Sequence, residues 1–315
     1  EIASDLENAQ WSQHPRFRST ASVATVQWRR ELDELAPRDQ ELAKALDDLR
    51  DVAKQAGADG EMSLYGGLPN ARLSMIDSRV LLAENPAQIE DDYPEHAERL
   101  IKAASQVRRA AKKAAPNLGQ PAGYFAILAM DGDNIGKWLS GTSDADVALK
   151  DVVHPSVRNA PGTSTDGAAP YGPSRHAGLS AELNDFAIYG VPAIIEKANG
   201  ALVYSGGDDV LAFLPVSKVF EAALEVRLGF SDGGGATVSP RQVFLPSANS
   251  TDQATVPGGS ADMHYWLGTA LTMSAGIAIA HHMTDLRAVI DAALEMEEKA
   301  KEPGGSRKGR DALGI

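Results

Sequence analysis

The 315-residue sequence contains no cysteine, and that absence removes disulfides, thiolate zinc sites and cysteine nucleophiles together. No stretch approaches the ~20 consecutive apolar residues of a membrane-spanning helix, so no membrane association is expected. No signal peptide is read at the start, and the chain is expected to be cytoplasmic. A surplus of positive charge is also missing: 30 Lys and Arg against 43 Asp and Glu leave a net charge of −13. Up to Pro121 the balance is 16 basic to 20 acidic, and after it 14 to 23. Neither part is therefore a general polyanion binder, because neutralising phosphates takes Lys and Arg in excess. The one basic cluster, Arg108, Arg109, Lys112 and Lys113, shares a helix face and is read as solvated rather than as a nucleic-acid contact. Aromatics are scarce at 6%, yet 43% hydrophobic residues suffice for one or two cores. At roughly 150 residues per domain the length suggests about two domains. The sequence begins at Glu1 rather than Met and is expected to be a piece of a longer chain.

Residues 1–121 are expected to form a mostly helical support domain. Val23 to Leu35, Gln40 to Ala56 and Pro94 to Ala114 carry apolar residues at three- and four-residue spacing, and Leu64 to Asn70 reads as a loop. His14 and His96 are isolated, and no catalytic constellation is found here. The pattern changes over 122–315. Tyr124 to Met130 is a short apolar run fit for a strand buried on both faces, and Asp131-Gly132-Asp133-Asn134 follows at once. His176 to Asn199 reads as a helix that Pro192 can kink and Asn199-Gly200 ends. Two apolar strands flank Gly206-Gly207-Asp208-Asp209 as a hairpin. A helix over Val216 to Leu228, a strand over Leu271 to Ala280 and a helix over Thr284 to Lys301 complete the set, with long loops at about 141–175 and 231–262. The class is α+β: a ferredoxin-like, palm-type domain behind a helical one, with a final edge strand expected to be missing.

In that topology the first strand and the hairpin are central neighbours. Asp131 and Asp208-Asp209, far apart in sequence, then meet at one sheet edge. Clustered carboxylates repel, and their ionised state is favoured when a cation sits between them. Mg²⁺ or Mn²⁺ in a two-metal site would suit phosphoryl transfer, in which paired ions hold the attacking and leaving oxygens. Gly206 and Gly207 allow a turn that side chains would obstruct and let a nucleotide approach the backbone. Gly132 and Gly136 leave the stretch around Asn134 open, and its amides, at a helix start, suit triphosphate oxygens.

Three motifs carry a family resemblance. Phe125-Ala-Ile-Leu-Ala-Met-Asp-Gly-Asp-Asn-Ile-Gly-Lys-Trp-Leu139, Tyr204-Ser-Gly-Gly-Asp-Asp-Val-Leu-Ala-Phe213 and Ser274-Ala-Gly-Ile-Ala-Ile-Ala-His-His282 resemble the second palm domain of the large subunit of type III CRISPR effector complexes, in its Cmr-type (III-B) branch. Arg18 to Thr25 and the helices around it resemble the region before that palm. The resemblance implies a nucleotidyltransferase that joins ATP into cyclic oligoadenylate when its complex, with guide RNA and further subunits, binds target RNA. By position, Asp131 and Asp208 would hold metal, and Asp209 metal or the attacking ribose. The Gly132 carbonyl would be an extra ligand, Ser180 would face adenine, and Lys301 would contact triphosphate. The family's palms act in facing pairs, so ATP binding is expected here and synthesis only with a partner palm. No His-Asp dipeptide for a nuclease site occurs. His281 and His282 are read as a strand end, since adjacent strand residues point to opposite faces and do not chelate one ion. Three other readings stay open. A diguanylate cyclase would normally carry Glu and Phe where Asp209 and Val210 stand, a scaffold would hold only a vestigial site, and a template-directed polymerase would need a basic channel.

Overall fold

The computed structural model describes residues 19–59, 73, 76–82, 84, 86–140, 149, 154–167, 172–231, 271–303 and 310–315. The first helices form where the apolar spacing predicts them. α1 (Thr20–Leu35) starts at Ser19, whose hydroxyl accepts the Ser22 N–H. α2 (Gln40–Ala56) is capped by Asp39 and stops at Gly57, whose φ of 68° no β-carbon opposes. α3 (Ser78–Leu82), α4 (Pro86–Asp92) and α5 (Ala97–Ala114) complete this region. Its apolar core joins Leu32, Leu46, Leu49, Leu100 and Val107. The basic cluster on α5 is put to structural use. Arg108 donates to the Leu81 carbonyl at 2.8 Å, and Lys113 pairs with Glu41. The expected loop at Leu64 to Asn70, and His14, lie outside the described residues.

The second region is built on a five-stranded sheet in the order β2-β3-β1-β4-β5, with β1 (Tyr124–Gly132) at its centre. After β1 come α6 (Ile135–Ser140), the single turn α7 (Pro155–Arg158) and α8 (Pro173–Asp185). A widened π-helical turn over Phe186–Gly190 then leads into α9 (Val191–Lys197). Val191 N–H reaches back to the Phe186 carbonyl, so the turn widens just before Pro192, which has no N–H to offer and whose ring would crowd a regular turn. The hairpin is β2 (Ala201–Gly206) and β3 (Asp209–Pro215), followed by α10 (Val219–Phe230). β4 (Met273–His281) and α11 (Leu286–Lys301) come next. All strand pairs are antiparallel except the last, where β5 (Leu313–Gly314) runs parallel to β4. The expectation of a missing edge strand is corrected twice over: β4 already closes the ferredoxin-like order, and β5 extends it. Two residues with no apolar run around them are too short to announce a strand.

β1 is buried along both faces, as its unbroken apolar run requires. Ala126, Leu128 and Met130 face the core under α8, α9 and α10, joined by Leu183, Phe186, Ile194 and Phe230. Phe125, Ile127 and Ala129 face the other way, against Val23 of α1 and Val289 and Ala293 of α11. The first helix thus packs directly on the sheet. Gly276 permits the closest of these approaches. A β-carbon there would overlap the Ala293 carbonyl and the Glu297 amide, so α11 lies flush on β4. That contact carries the C-terminal end of α11 to the sheet end where Asp131 lies.

Candidate functional site

The register of β1 and β3 ends at Met130 opposite Val210, and its continuation sets Asp131 across from Asp209. Asp208 lies in the hairpin turn, where Gly207 takes the positive φ of 64° that the reversal requires. A β-carbon at Gly132 would lie 2.7 Å from the Asp208 β-carbon and 2.9 Å from its Oδ2. Gly132 is glycine because Asp208 occupies that space. Asp131, Asp208 and Asp209 are therefore brought together at one sheet end, as their sequence positions predicted.

The carboxylates of the hairpin are uneasy as anions. Burial pushes the Asp208 carboxyl up, its own backbone N–H offsets part of that, and the charge of Asp209 adds to the rise. Burial raises Asp209 as well. Among the described residues neither has a cationic side chain on it. Oxygen ligands in this state, beside a third carboxylate, suit a hard divalent cation such as Mg²⁺ or Mn²⁺.

Lys301, at the end of α11, reaches the same place. Its ammonium pairs with Asp131 and, at 2.6 Å, with Glu297 one turn earlier. Burial, then the nearby Arg310 guanidinium, lowers its pKa. Glu297 is a member of this cluster that motif reading missed. Burial, then the charges of Asp209, Asp133 and Glu298, pushes it up to about 7, because one shared ammonium does not balance so many carboxylates. Its signal in the sequence is the four-residue spacing to Lys301.

Asp133 was also missed as a structural element. Only 4% exposed, it accepts hydrogen bonds from the Thr272 hydroxyl at 2.6 Å, the Ser274 hydroxyl at 2.8 Å and the Asp311 N–H at 2.8 Å. It ties the turn after β1 to β4 and to the approach to β5. Asn134 next to it adopts φ 61°, and its carbonyl accepts the N–H of Lys137 as α6 begins. At Gly136 a β-carbon would meet open space, whereas at Gly206 it would meet the ring and hydroxyl of Tyr204. Ser180 is exposed on α8. Along α11 lies a groove of about 530 Å³, lined by Asp291, Leu294, Glu295, Glu297, Glu298 and Lys301. Its acidic wall does not suit a triphosphate without cations.

His281 and His282 correct the sequence reading. Their Nε2 atoms lie 2.7 and 3.1 Å from one oxygen of Glu84. The alternation argument fails because β4 ends at His281 and His282 already belongs to the turn, where side chains no longer alternate.

A ferredoxin-like sheet with acidic residues at the end of its first strand and in its central hairpin defines a palm domain. Residues 124–314 match the family model of the Cas10/Cmr2 second palm domain, and the chain belongs to that family. A curated relative, the CRISPR system Cmr subunit Cmr2 of Pyrococcus furiosus, is 40% identical over 114 residues, covering 36% of this chain and 12% of its own length. The chain thus spans a small part of that relative. Among solved structures, the Csm1–Csm4 cassette in complex with cA4 is 18% identical, with a TM-score of 0.35 over 60% of this chain and 20% of the other. The cassette in complex with one ATP is 19% identical, with a TM-score of 0.33 over 56% and 19%. Among the described residues, no helix is long and apolar enough to cross a membrane.

Proposed function

We propose that this palm binds ATP with divalent metal ions and, paired with a second palm, synthesises cyclic oligoadenylate in a type III CRISPR effector complex when target RNA is bound. Guide RNA and the other subunits of the complex are the proposed partners. The observation that carries the reading is the packing of Asp208 onto the bare α-carbon of Gly132, which gathers three carboxylates where a nucleotide can reach them. Membership of the Cas10/Cmr2 family supports it.

Asp131, Asp208 and Asp209 would hold the cations, which would supply charge neutralisation for the triphosphate and for the attacking and leaving oxygens. The chain's own residues do the rest. At Gly207 and Gly136, where a β-carbon would meet open space, a nucleotide can approach the backbone closely. Lys301 exchanges Asp131 for a phosphate oxygen when the triphosphate arrives, and Ser180 is the proposed contact to adenine. A ribose 3′-hydroxyl gives up its proton to solvent as its oxygen attacks the α-phosphorus of a second ATP, the new O3′–P bond forms, the bond to the β-phosphate breaks and pyrophosphate leaves. Asp209 orients the attacking hydroxyl.

Calorimetric titration of ATP with Mn²⁺ into the chain tests the site. Binding that depends on metal, exceeds that of GTP and is lost in Asp208→Ala/Asp209→Ala is expected. Tighter GTP binding would turn the reading to a diguanylate cyclase. Absence of both would leave a scaffold or a pocket completed only by its partner palm.

A further inference from the structure

At the opposite end of β1 and β4 lies a second cluster of ligating side chains. His281 pairs with Tyr124 across the strands, whereas Asp131 pairs with Ser274. The seven residue steps from Ser274 to His281 span about 23 Å of strand, so this cluster is separate from the carboxylates of the palm. Glu84, His281 and His282 each offer one ligand atom, all within 4.8 Å of one another. Glu84 comes from the segment between α3 and α4, and the histidines from the end of β4 and the following turn.

We propose that Glu84, His281 and His282 form a zinc site that fastens the helical region to the base of the sheet.

The cluster is held in place on every side. The His282 N–H donates to the Gly123 carbonyl at 2.7 Å, and the His282 carbonyl accepts from the Thr20 hydroxyl of α1 at 3.0 Å. The Tyr124 ring meets the His281 ring edge-on at 5.2 Å. A β-carbon at Gly123 would stand 2.5 Å from His281 Nε2 and 3.0 Å from each Glu84 oxygen. Any other residue at 123 would fill the cluster, so its centre is kept clear by an absent side chain. Tetrahedral zinc, with ligands at about 2.0–2.2 Å, sets neighbouring ligand atoms about 3.3 Å apart. Glu84 Oε2 lies 2.7 Å from one Nε2 and 3.1 Å from the other, so both carboxylate–imidazole spacings come within tenths of an ångström of that value.

The donor set selects the metal. Two imidazoles and one carboxylate suit zinc and its transition-metal neighbours, whereas Mg²⁺ takes oxygen and water. His282 is only 8% exposed and burial lowers its pKa, which favours the neutral ring a metal needs. Without metal the His282 Nε2–H donates to Glu84 at 3.1 Å, and His281 Nε2 lies 2.7 Å from the same oxygen. With metal each ring carries its proton on Nδ1, and for His281 this gives up only a long contact, the Met283 N–H donating to Nδ1 at 3.4 Å. Glu84 is 37% exposed, leaving the fourth position to water.

The test is the zinc content of the chain after dialysis against buffered Zn²⁺, with Mg²⁺ in excess to occupy the palm carboxylates. One zinc per chain is expected, retained in Asp208→Ala/Asp209→Ala and lost in His281→Asn/His282→Asn and in Glu84→Ala. No uptake, zinc retained by the histidine variant, or zinc lost with the aspartates overturns the proposal. Should the histidine variant fail to fold, the Co²⁺-loaded native chain decides. Intense visible d–d absorption supports the site, and the pale spectrum of octahedral oxygen ligation sinks it.

Discussion

Asp133 and the Asp208-Asp209 pair lie at the same end of the sheet, and their surroundings are opposite. Asp133 is buried and fully engaged, with two hydroxyls and a backbone N–H donating to it and the Arg310 guanidinium 3.8 Å away. The hairpin pair has burial with only the Asp208 backbone N–H to offset it, and both carboxyls are pushed up. Asp131 stands between these extremes, paired with Lys301. The residue type is the same throughout. What separates a structural acid from one kept available for a cation is the set of donors around it.

The largest effect expected from breaking that contrast is at Asp133. Asp133→Ala leaves two hydroxyls, an amide and a guanidinium facing a hole, and about 3 kcal/mol of stability should be lost, read by urea unfolding. A loss below about 1 kcal/mol would show that water replaces the carboxylate and that Asp133 belongs with the available acids after all.

Gly132→Ala comes next. The added methyl must displace Asp208, at about 2 kcal/mol for overpacking a tight contact. Metal-dependent ATP binding should weaken out of proportion to that loss, because the displaced group is the proposed ligand itself. Calorimetry and unfolding on the same protein separate the two. Equal ATP affinity with a damaged fold would mean that Asp208 can hold its ligand from another position.

Much of this was legible before the structure. The apolar run of β1, the Gly-Gly turn and the alternation from helix to strand spacing are local signals, and they locate the palm, its order and three of its acids. What was not legible depends on long-range pairing. The engagement of Asp133 needs Ser274 and Asp311, which no spacing rule connects to it. Glu297 reaches the site only because Gly276 lets α11 sit against β4. β5 is two residues held by the edge it joins, and a strand that short has no periodicity. The convergence of His281 and His282 on Glu84 was missed because the alternation rule was applied one residue past the strand's end.

The hairpin pair should also reveal itself in pH dependence. A carboxyl raised in the native state means the native chain holds more protons than the unfolded one, so stability falls as pH rises from the ordinary carboxylate range through the raised values. Asp208→Asn/Asp209→Asn should therefore be at least as stable as the native chain near neutral pH, with a shallower decline toward it. Thermal midpoints across that range measure it. A steeper decline would mean that the two carboxylates already have a partner in the free chain.

Glu297 gives the smallest effect and the sharpest test, because its two influences predict opposite signs. If burial and the neighbouring acids dominate, its carboxyl is pushed up to about 7 in the fold against 4.5 when free, and ionising it costs stability as pH passes through that interval. Glu297→Gln would then match the native chain in acid and exceed it by about 1 kcal/mol at about pH 8, after allowance for its partial exposure. If the contact with Lys301 dominates, the same substitution is destabilising above neutrality, since it strips a partner from a half-buried ammonium. The first outcome puts Glu297 with the acids kept available for a cation, and Mn²⁺ should then abolish the difference between variant and native chain by supplying the missing charge. The second puts it with Asp133, and metal should leave the difference untouched.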